Sequence, residues 1–224
     1  MTNAVGREGA ARPRCGLLGM LPPRQRRRAL AILRNADRVE LWAGGRLERT
    51  RLAGAVVVVV RTGLVAVATE AGGTRRPVIL ALAGSEDVLA PPRPGEIVLA
   101  LEDAALTLLG DDVYAALLAL PGAADVIVRG LSDAVHGGQD AMALFGSVSH
   151  PDRVRAKMIQ LARAHGRVRP DGILIDIPLT HELLAWMVGS ARETVTAALG
   201  RLELEGFVSR EGRRYLLNIP ADLL

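Results

Sequence analysis

Residues 180–219 constrain the fold most: two short apolar-periodic segments meet at one glycine and lead into a hairpin pattern. Thr180 predicts an N-cap for the first helix. Gly189 predicts the end of that helix, because glycine readily adopts the left-handed backbone at a helix C-terminus. Ser190 and Glu193 have the spacing of a capping box, which predicts the start of a second helix. Helix, turn, helix and hairpin together indicate a winged helix-turn-helix.

The flanking segments complete this domain. Residues 150–166 predict a preceding helix, with Ser149 as its N-cap, and residues 167–178 predict a strand pair with a Pro-Asp-Gly turn. The helix after Gly189 is predicted to end near residue 205, and FVSREGRRYLLNI predicts a hairpin with SREGRR at its tip. The predicted buried face of that helix consists of Val195, Ala198, Leu199 and Leu202.

The chemistry of this segment suits DNA. In such a motif the second helix lies in the major groove, where Arg192 can donate two hydrogen bonds to guanine and Glu193 can accept one from cytosine. The positive helix N-terminus and nearby hydroxyls can hold a phosphate. The predicted DNA contacts are Thr180, Ser190, Arg192, Glu193, Thr194, Thr196, Arg210, Arg213 and Arg214. Alternatively, Glu193 only closes the capping box and Arg192 is a solvated surface residue.

The first half of the chain predicts a β-rich domain. Seven short segments between residues 38 and 110 are rich in β-branched residues and separated by turn residues, which is typical of a sandwich or barrel. A short helix is predicted near residues 23–34, and another begins at Asp111 as its N-cap. Residues 1–16 are polar and rich in Gly and Arg, which predicts a disordered tail.

A long helix is predicted from Pro121 to about residue 148. Its apolar or small residues recur at spacings of four and three, the pattern of a coiled-coil seam. We expect this seam to form a homodimer interface, with packing on the chain's own β-domain as the alternative. The seam consists of Ile127, Leu131, Ala134, Gly138, Ala141, Phe145 and Val148.

The segment HELLAWMVGSARETVTAALGRLELEGFV resembles the C-terminal domain of the Crp/Fnr superfamily of bacterial transcription regulators, which carry a VG-x-S/T-R-E-T-V recognition segment. The order of the upstream elements is similar too. The resemblance implies an α+β fold: a cyclic-nucleotide-binding-like β-roll (double-stranded β-helix) at 17–120, a dimerisation helix at 121–149 and the DNA-binding domain at 150–224. It also implies a cytoplasmic homodimer on a near-palindromic double-stranded operator, with RNA polymerase as a further partner.

Two departures from the family pattern limit what the resemblance implies about base specificity and about the effector. The family's recognition helix usually has a third basic reader four residues after the glutamate, and this chain has Ala197 there. The phosphate-binding cassette of cyclic-AMP-binding members is reduced to Gly84-Ser85-Glu86. No R-S/T-A follows it, and Pro91, Pro92 and Pro94 predict the loss of the cassette helix.

These departures argue against cyclic AMP in the usual mode. The remaining candidate effector contacts are Arg75, Arg76, Arg93 and Glu86. The two phosphates of a cyclic dinucleotide would suit the arginines; a cyclic mononucleotide, or no effector, stays open, and so does the reading of these residues as solvated loop arginines. A haem would need an axial ligand, for which His136 and Cys15 are weak candidates.

Other functional classes lack their signatures. The chain has 28 basic and 24 acidic residues, a net charge of +4, which suits an anionic partner. Its single cysteine excludes an internal disulfide, a zinc ribbon and a cysteine-ligated iron–sulfur cluster within one chain. HELLA lacks the second histidine of a zinc protease motif, and no phosphate-binding glycine loop is present. We therefore expect no enzyme, no metal and no membrane span.

Two classes of function remain. The first is a DNA-binding transcription regulator controlled by a small effector or acting without one. The second is a ligand receptor or protein-interaction module that has lost specific DNA reading, which the missing reader at Ala197 favours.

Overall fold

The computed structural model describes residues 17–69, 77–145 and 149–220, and the chain divides between Met142 and Ala143 into two compact units. The predicted tail at 1–16 and the turn that contains Arg75 and Arg76 lie outside the described residues.

The N-terminal unit is built on two four-stranded antiparallel sheets, as expected for a β-roll. Their strand orders are β1-β8-β3-β6 and β2-β7-β4-β5. The strands are β1 (Asp37–Leu41), β2 (Arg46–Glu48), β3 (Val57–Thr62), β4 (Val65–Thr69), β5 (Val78–Ala83), β6 (Val88–Leu89), β7 (Glu96–Ala100) and β8 (Ala104–Leu109). The two-residue β6 was not predicted, because it is too short for a periodic signal. The segment RLERTRL forms β2 and then a 3₁₀ turn at Arg49–Leu52.

The run AVVVVV places strand β3 between two hydrophobic clusters, one on each of its faces. Val58 and Val60 of β3 belong to the cluster between the sheets, whereas Val57 and Val59 belong to a cluster with the helices. A strand covered on both faces reads as a continuous apolar run rather than an alternating one. The predicted α+β class is therefore confirmed in its N-terminal half.

Four helices accompany the sheets: α1 (Leu17–Met20), α2 (Pro23–Leu33), α3 (Asp111–Leu118) and α4 (Ala123–Phe145). The prediction of Asp111 as an N-cap is wrong, because Gly110 takes that position and Asp111 is the first helical residue. Within the described ranges no single helix is long and apolar enough to cross a membrane; α3 and the first part of α4 reach that apolarity only as a pair bent by 116°.

The predicted seam on α4 is wrong in its register. Ile127 is only 1% exposed and packs in the helix–sheet core of its own chain, which is the alternative expectation. Val128 and Val135 are 61% and 58% exposed. The helix is apolar on two faces, and pattern alone does not tell which face meets the β-domain. Ala134 and Gly138 are half-buried; Val148 and the side chains of Ala141 and Phe145 lie outside the described set.

Within the described residues 149–220, the C-terminal unit has three helices and a four-stranded sheet of order β11-β12-β10-β9. Its elements are α5 (His150–His165), β9 (Gly166–Arg169), β10 (Gly172–Ile175), α6 (His181–Val188), α7 (Arg192–Leu204), β11 (Val208–Glu211) and β12 (Arg214–Leu217). The buried residues of α7 are the four predicted ones, Val195, Ala198, Leu199 and Leu202. The winged helix-turn-helix is thereby confirmed.

Candidate nucleic-acid interface

Helix α6 begins and ends at the two residues that were predicted to bound it, Thr180 and Gly189. The Thr180 hydroxyl accepts a hydrogen bond from the Leu183 amide at 3.0 Å, which caps the helix. Gly189 ends it with φ 59° and ψ 46°, a left-handed conformation that costs glycine no side-chain clash.

Ser190 does not cap α7, so the capping box is wrong. Its amide donates to the Ala185 carbonyl at 3.0 Å, which makes it part of the end of α6, and its hydroxyl contacts Nδ1 of His150 on α5 at 3.0 Å. The N-cap of α7 is Ala191, whose carbonyl accepts from the Val195 amide. The hydroxyl residue of the family segment falls at position 191, where this chain has alanine.

The exposed face of α7 carries the two predicted base readers. Arg192 and Glu193 are exposed in its first turn, and Thr196 and Ala197 are exposed one turn later. Thr194 is half-buried, which weakens its assignment as a DNA contact. With no capping box to close, the Glu193 carboxylate is free of the structural role that competed with base contact.

A groove of about 410 Å³ links this face to the wing, the hairpin of β11 and β12. Its positive charge comes from Arg192 on α7 and from Arg210 and Arg213 on the wing. The Thr180 hydroxyl at the N-terminus of α6 lines the same groove; because it accepts from Leu183, its own hydrogen can be donated to a phosphate. The groove is lined by Leu179, Thr180, His181, Glu182, Arg192, Arg210 and Arg213.

The wing arginines differ in their engagement. Arg213 is exposed at the two-residue tip after Gly212 (φ 62°). Arg210 donates through Nε to the Gly212 carbonyl at 2.9 Å and braces the tip. Arg214 pairs with Asp176 at 3.3 Å and is not among the groove-lining residues, so its assignment as a phosphate contact is not supported by the geometry.

Sequence reasoning missed the role of His181. Its Nδ1 lies 2.8 Å from the Thr196 hydroxyl on α7, and its Nε2 lies 3.1 Å from the Tyr215 hydroxyl on β12. Burial lowers the pKa of His181, the positive charges of Arg210 and Arg192 lower it further, and Glu203 acts in the opposite direction. Burial also raises the pKa of Tyr215. Tyr215 is 34 residues from His181, so no local pattern could have found the contact.

Helix α5 holds both ends of α7. His150 contacts Ser190 just before α7 begins, as described above. At the other end, the Arg155 guanidinium lies 4.3 Å from the centre of the Phe207 ring and forms an ion pair with Glu205. These contacts lie just before and just after α7, so α5 is joined to the segments at both ends of that helix.

The candidate effector residues are not brought together by the described structure. The Glu86 carboxylate accepts from the Leu18 amide at 2.9 Å and from Arg61 at 3.2 Å, so it is already engaged within the domain. Glu86 also has a φ of 70°, uncommon for a residue with a side chain. Arg93 is exposed in a turn closed by Glu96, and residues 90–95 contain no helix, as the prolines predicted.

Comparison with known proteins agrees with this architecture. Residues 152–223 match the Crp-like helix-turn-helix domain. The global nitrogen regulator of Synechococcus elongatus is 32% identical over 111 residues, 48% of this chain and 49% of that protein. The CRP-like cAMP-activated global transcriptional regulator of Mycobacterium tuberculosis is 34% identical over 68 residues, 30% of each chain. The chain thus matches about half or less of the length of these curated relatives.

Solved structures extend the likeness to the whole fold. A CooA mutant from Carboxydothermus hydrogenoformans superposes with a TM-score of 0.74 at 20% identity, over 86% of this chain and 88% of that one. The c-di-GMP-responsive regulator CLP of Xanthomonas campestris superposes with a TM-score of 0.65 at 16% identity, over 87% and 100%.

Residues 152–223 therefore form a Crp-like helix-turn-helix domain, and the fold of the described residues is similar to that of the solved structures named above. The curated relatives named above are regulators, which agrees with the prediction that this chain is not an enzyme. The two departures from the family segment are Ala191, the N-cap of α7, and Ala197, in the second turn of that helix.

Proposed function

We propose that this protein belongs to the Crp/Fnr family and is a sequence-specific DNA-binding transcription regulator that acts in the bacterial cytoplasm. The observation that carries the proposal is the groove in which Arg192, Arg210 and Arg213 converge with the N-terminus of α6. The exposed first turn of α7 reads base edges through Arg192 and Glu193, and the wing arginines hold the phosphate backbone. Ala197 removes one reader, so the operator differs from that of members with a basic residue there.

Fluorescence anisotropy with a random duplex pool tests this proposal. Neutralising three to six phosphates should reduce the binding constant about 40- to 2,000-fold between about 50 and 200 mM salt. A competing single-strand pool at equal charge controls for non-specific attraction. Binding that is absent or insensitive to salt would contradict the regulator and favour a receptor or protein-interaction module instead.

We infer that the active species is a homodimer joined through α4. Val128, Leu131, Val135 and Gly138 have spacings of three, four and three, the heptad pattern of a two-helix seam. Val128 and Val135 are largely exposed in the single chain, and burial of such residues against a second copy removes apolar surface from water. A two-fold dimer matches a near-palindromic operator, and RNA polymerase is the expected further partner.

We infer further that a small effector other than cyclic AMP in its usual mode controls the dimer. The engagement of Glu86 by Leu18 and Arg61 and the absence of a helix at residues 90–95 support this inference. Arg93 is exposed and suits a phosphate. A cyclic dinucleotide is the favoured class, and the c-di-GMP-responsive structural relative lends it support.

Thermal-shift measurements with c-di-GMP, other cyclic dinucleotides, cyclic AMP and cyclic GMP test the effector. A ligand at about 100 times its Kd stabilises the folded state by about 2.7 kcal/mol. We expect a shift with a cyclic dinucleotide that the Arg93→Ala variant reduces. A shift with cyclic AMP alone would contradict the inference, and no shift with any of these would indicate an effector-independent regulator.

A further inference from the structure

The side chain of His181 joins three elements of the DNA-binding domain. It lies at the start of α6 and contacts Thr196 of α7 on one ring nitrogen and Tyr215 of β12 on the other. Thr196 in turn contacts the backbone carbonyl of Arg192 at 2.9 Å. These contacts form a continuous chain of hydrogen bonds from the wing to the first residue of the recognition helix.

The donor and acceptor of each of these hydrogen bonds follow from the number of hydrogens that each group has. The Thr196 hydroxyl has one hydrogen, and a carbonyl oxygen can only accept, so that hydrogen is donated to Arg192. Thr196 must then accept from His181, which places the ring proton on Nδ1. In a neutral ring Nε2 is the acceptor, so Tyr215 donates its hydroxyl hydrogen to it. Every member of the chain therefore has one defined role.

The surroundings keep the ring neutral. Tyr215 is fully buried, and His181 is half-buried between α7 and the wing. The charges that face it are Arg192 and Glu203 on α7 and Arg210 on β11, and Arg213 lines the same groove. Arg210 and Arg192 disfavour a positive charge on the ring, and the neutral Nδ1–H form is the one that satisfies both hydrogen bonds of His181.

We propose that His181 is a positioning residue for DNA recognition, holding the first turn of α7 in a fixed relation to the wing through Thr196 and Tyr215. A hydroxyl bond to the carbonyl four residues earlier is common in helices and would not alone do this. The distinctive feature is that Thr196 is held from outside the helix. Because Ala191 provides no capping side chain, the first turn depends more on this support. The inference rests on the proposed DNA-binding function.

Variants that delete single hydroxyls test it. Thr196→Val and Tyr215→Phe preserve the shape of the side chain, and each removes a hydroxyl that takes part in these hydrogen bonds. Thr196→Ser keeps the hydroxyl at position 196. As a control, Ser209→Ala removes a hydroxyl of the wing that takes no part in them. The unaltered protein first selects its preferred duplex from a random pool. Discrimination against a changed base pair at the position read by Arg192 is then measured for each variant at fixed salt.

We expect Thr196→Val and Tyr215→Phe to lose about 2- to 10-fold in discrimination, the factor that corresponds to one net hydrogen bond. Their salt dependence should not change, because no phosphate contact is removed. Thr196→Ser and Ser209→Ala should discriminate like the unaltered protein.

Nitrogen-15 NMR of the histidine rings in the DNA-free protein tests the hydrogen bonds of His181 directly and independently of DNA binding. The His181 ring should be in the Nδ1–H form, and Tyr215→Phe should change that balance because it removes the donor to Nε2.

The outcomes separate the two proposals. If the unaltered protein selects no duplex, the regulator function and this inference both fail. If it selects one, but Thr196→Val and Tyr215→Phe discriminate as well as it does, or His181 is in the Nε2–H form, only the inference about His181 is overturned.

Discussion

The left-handed backbone of Gly189 determines where α6 ends and therefore where α7 can begin. Its left-handed φ ends α6, and the amide of Ser190 then bonds back to Ala185. The N-cap of α7 is Ala191 rather than the predicted Ser190, so the turn between the two helices is one residue longer than predicted. The later start leaves Arg192 as the first helical residue, where its side chain is exposed.

Replacing Gly189 with alanine should lower the free energy of unfolding of the DNA-binding domain by about 1 kcal/mol, because a Cβ disfavours the left-handed region. Gly200→Ala is the matched control: Gly200 lies inside α7 and an added Cβ meets nothing within 4 Å. That change should stabilise by about 0.5–1 kcal/mol through helix propensity. Urea denaturation followed by Trp186 fluorescence, in a Trp42→Phe background, measures both; equal effects would contradict the assigned conformation.

His181 should make the DNA-binding domain less stable in mild acid. Its pKa is lowered in the folded state by burial, Arg210 and Arg192, so the unfolded chain takes up this proton first as the pH falls through about 6.5. Stability from this residue is therefore level above that pH and decreases from there down to the folded-state pKa. Unfolding free energies at several pH values, compared with His181→Gln, should show a smaller decrease in the variant. An identical pH dependence would contradict the lowered pKa.

Elements differ in how well their sequences predicted them. The helices α2, α5, α6 and α7 are each marked in the sequence by a proline or glycine near one end and by an apolar period, and so they were predicted to within a few residues. The seam of α4 was misassigned, because both of its faces are apolar and only packing on the sheets selects one. Gly130 shows that packing: an added Cβ there would lie 3.0 Å from the Val88 side chain of β6.

The element α4 supplies the test of dimerisation. Val135→Glu places a charge in the exposed seam of Val128 and Val135, and the cost of desolvating it should shift the protein to monomer. His136→Glu, at an exposed position one residue further along the helix, should leave a dimer. Sedimentation equilibrium distinguishes the two. A monomeric unaltered protein, or a dimer that both variants retain, would contradict the assigned interface.

Across the whole molecule, the sequence was sufficient to predict the fold and to place Arg192 and Glu193 in the exposed first turn of α7. It was not sufficient for contacts between distant segments. The pairing of Arg214 with Asp176, the hold of Glu86 on Leu18 and the link from His181 to Tyr215 each join residues far apart in the chain. Such contacts depend on tertiary packing, which no local period encodes. They changed the assignments of Arg214 and Glu86, and they gave Thr196 a partner, His181, that the sequence did not predict.

The central claim is that α7 reads bases through Arg192 while the wing holds phosphates through Arg213. The most direct measurement compares the unaltered protein, Arg192→Ala and Arg213→Ala on the selected duplex and on its single-base-pair variants, at several salt concentrations. We expect Arg192→Ala to lose about 1–3 kcal/mol of discrimination at one base pair of each half-site. Arg213→Ala should keep the discrimination, weaken binding evenly and reduce the salt slope by about one per half-site. Full discrimination by Arg192→Ala, or equal losses in both variants, would contradict the claim.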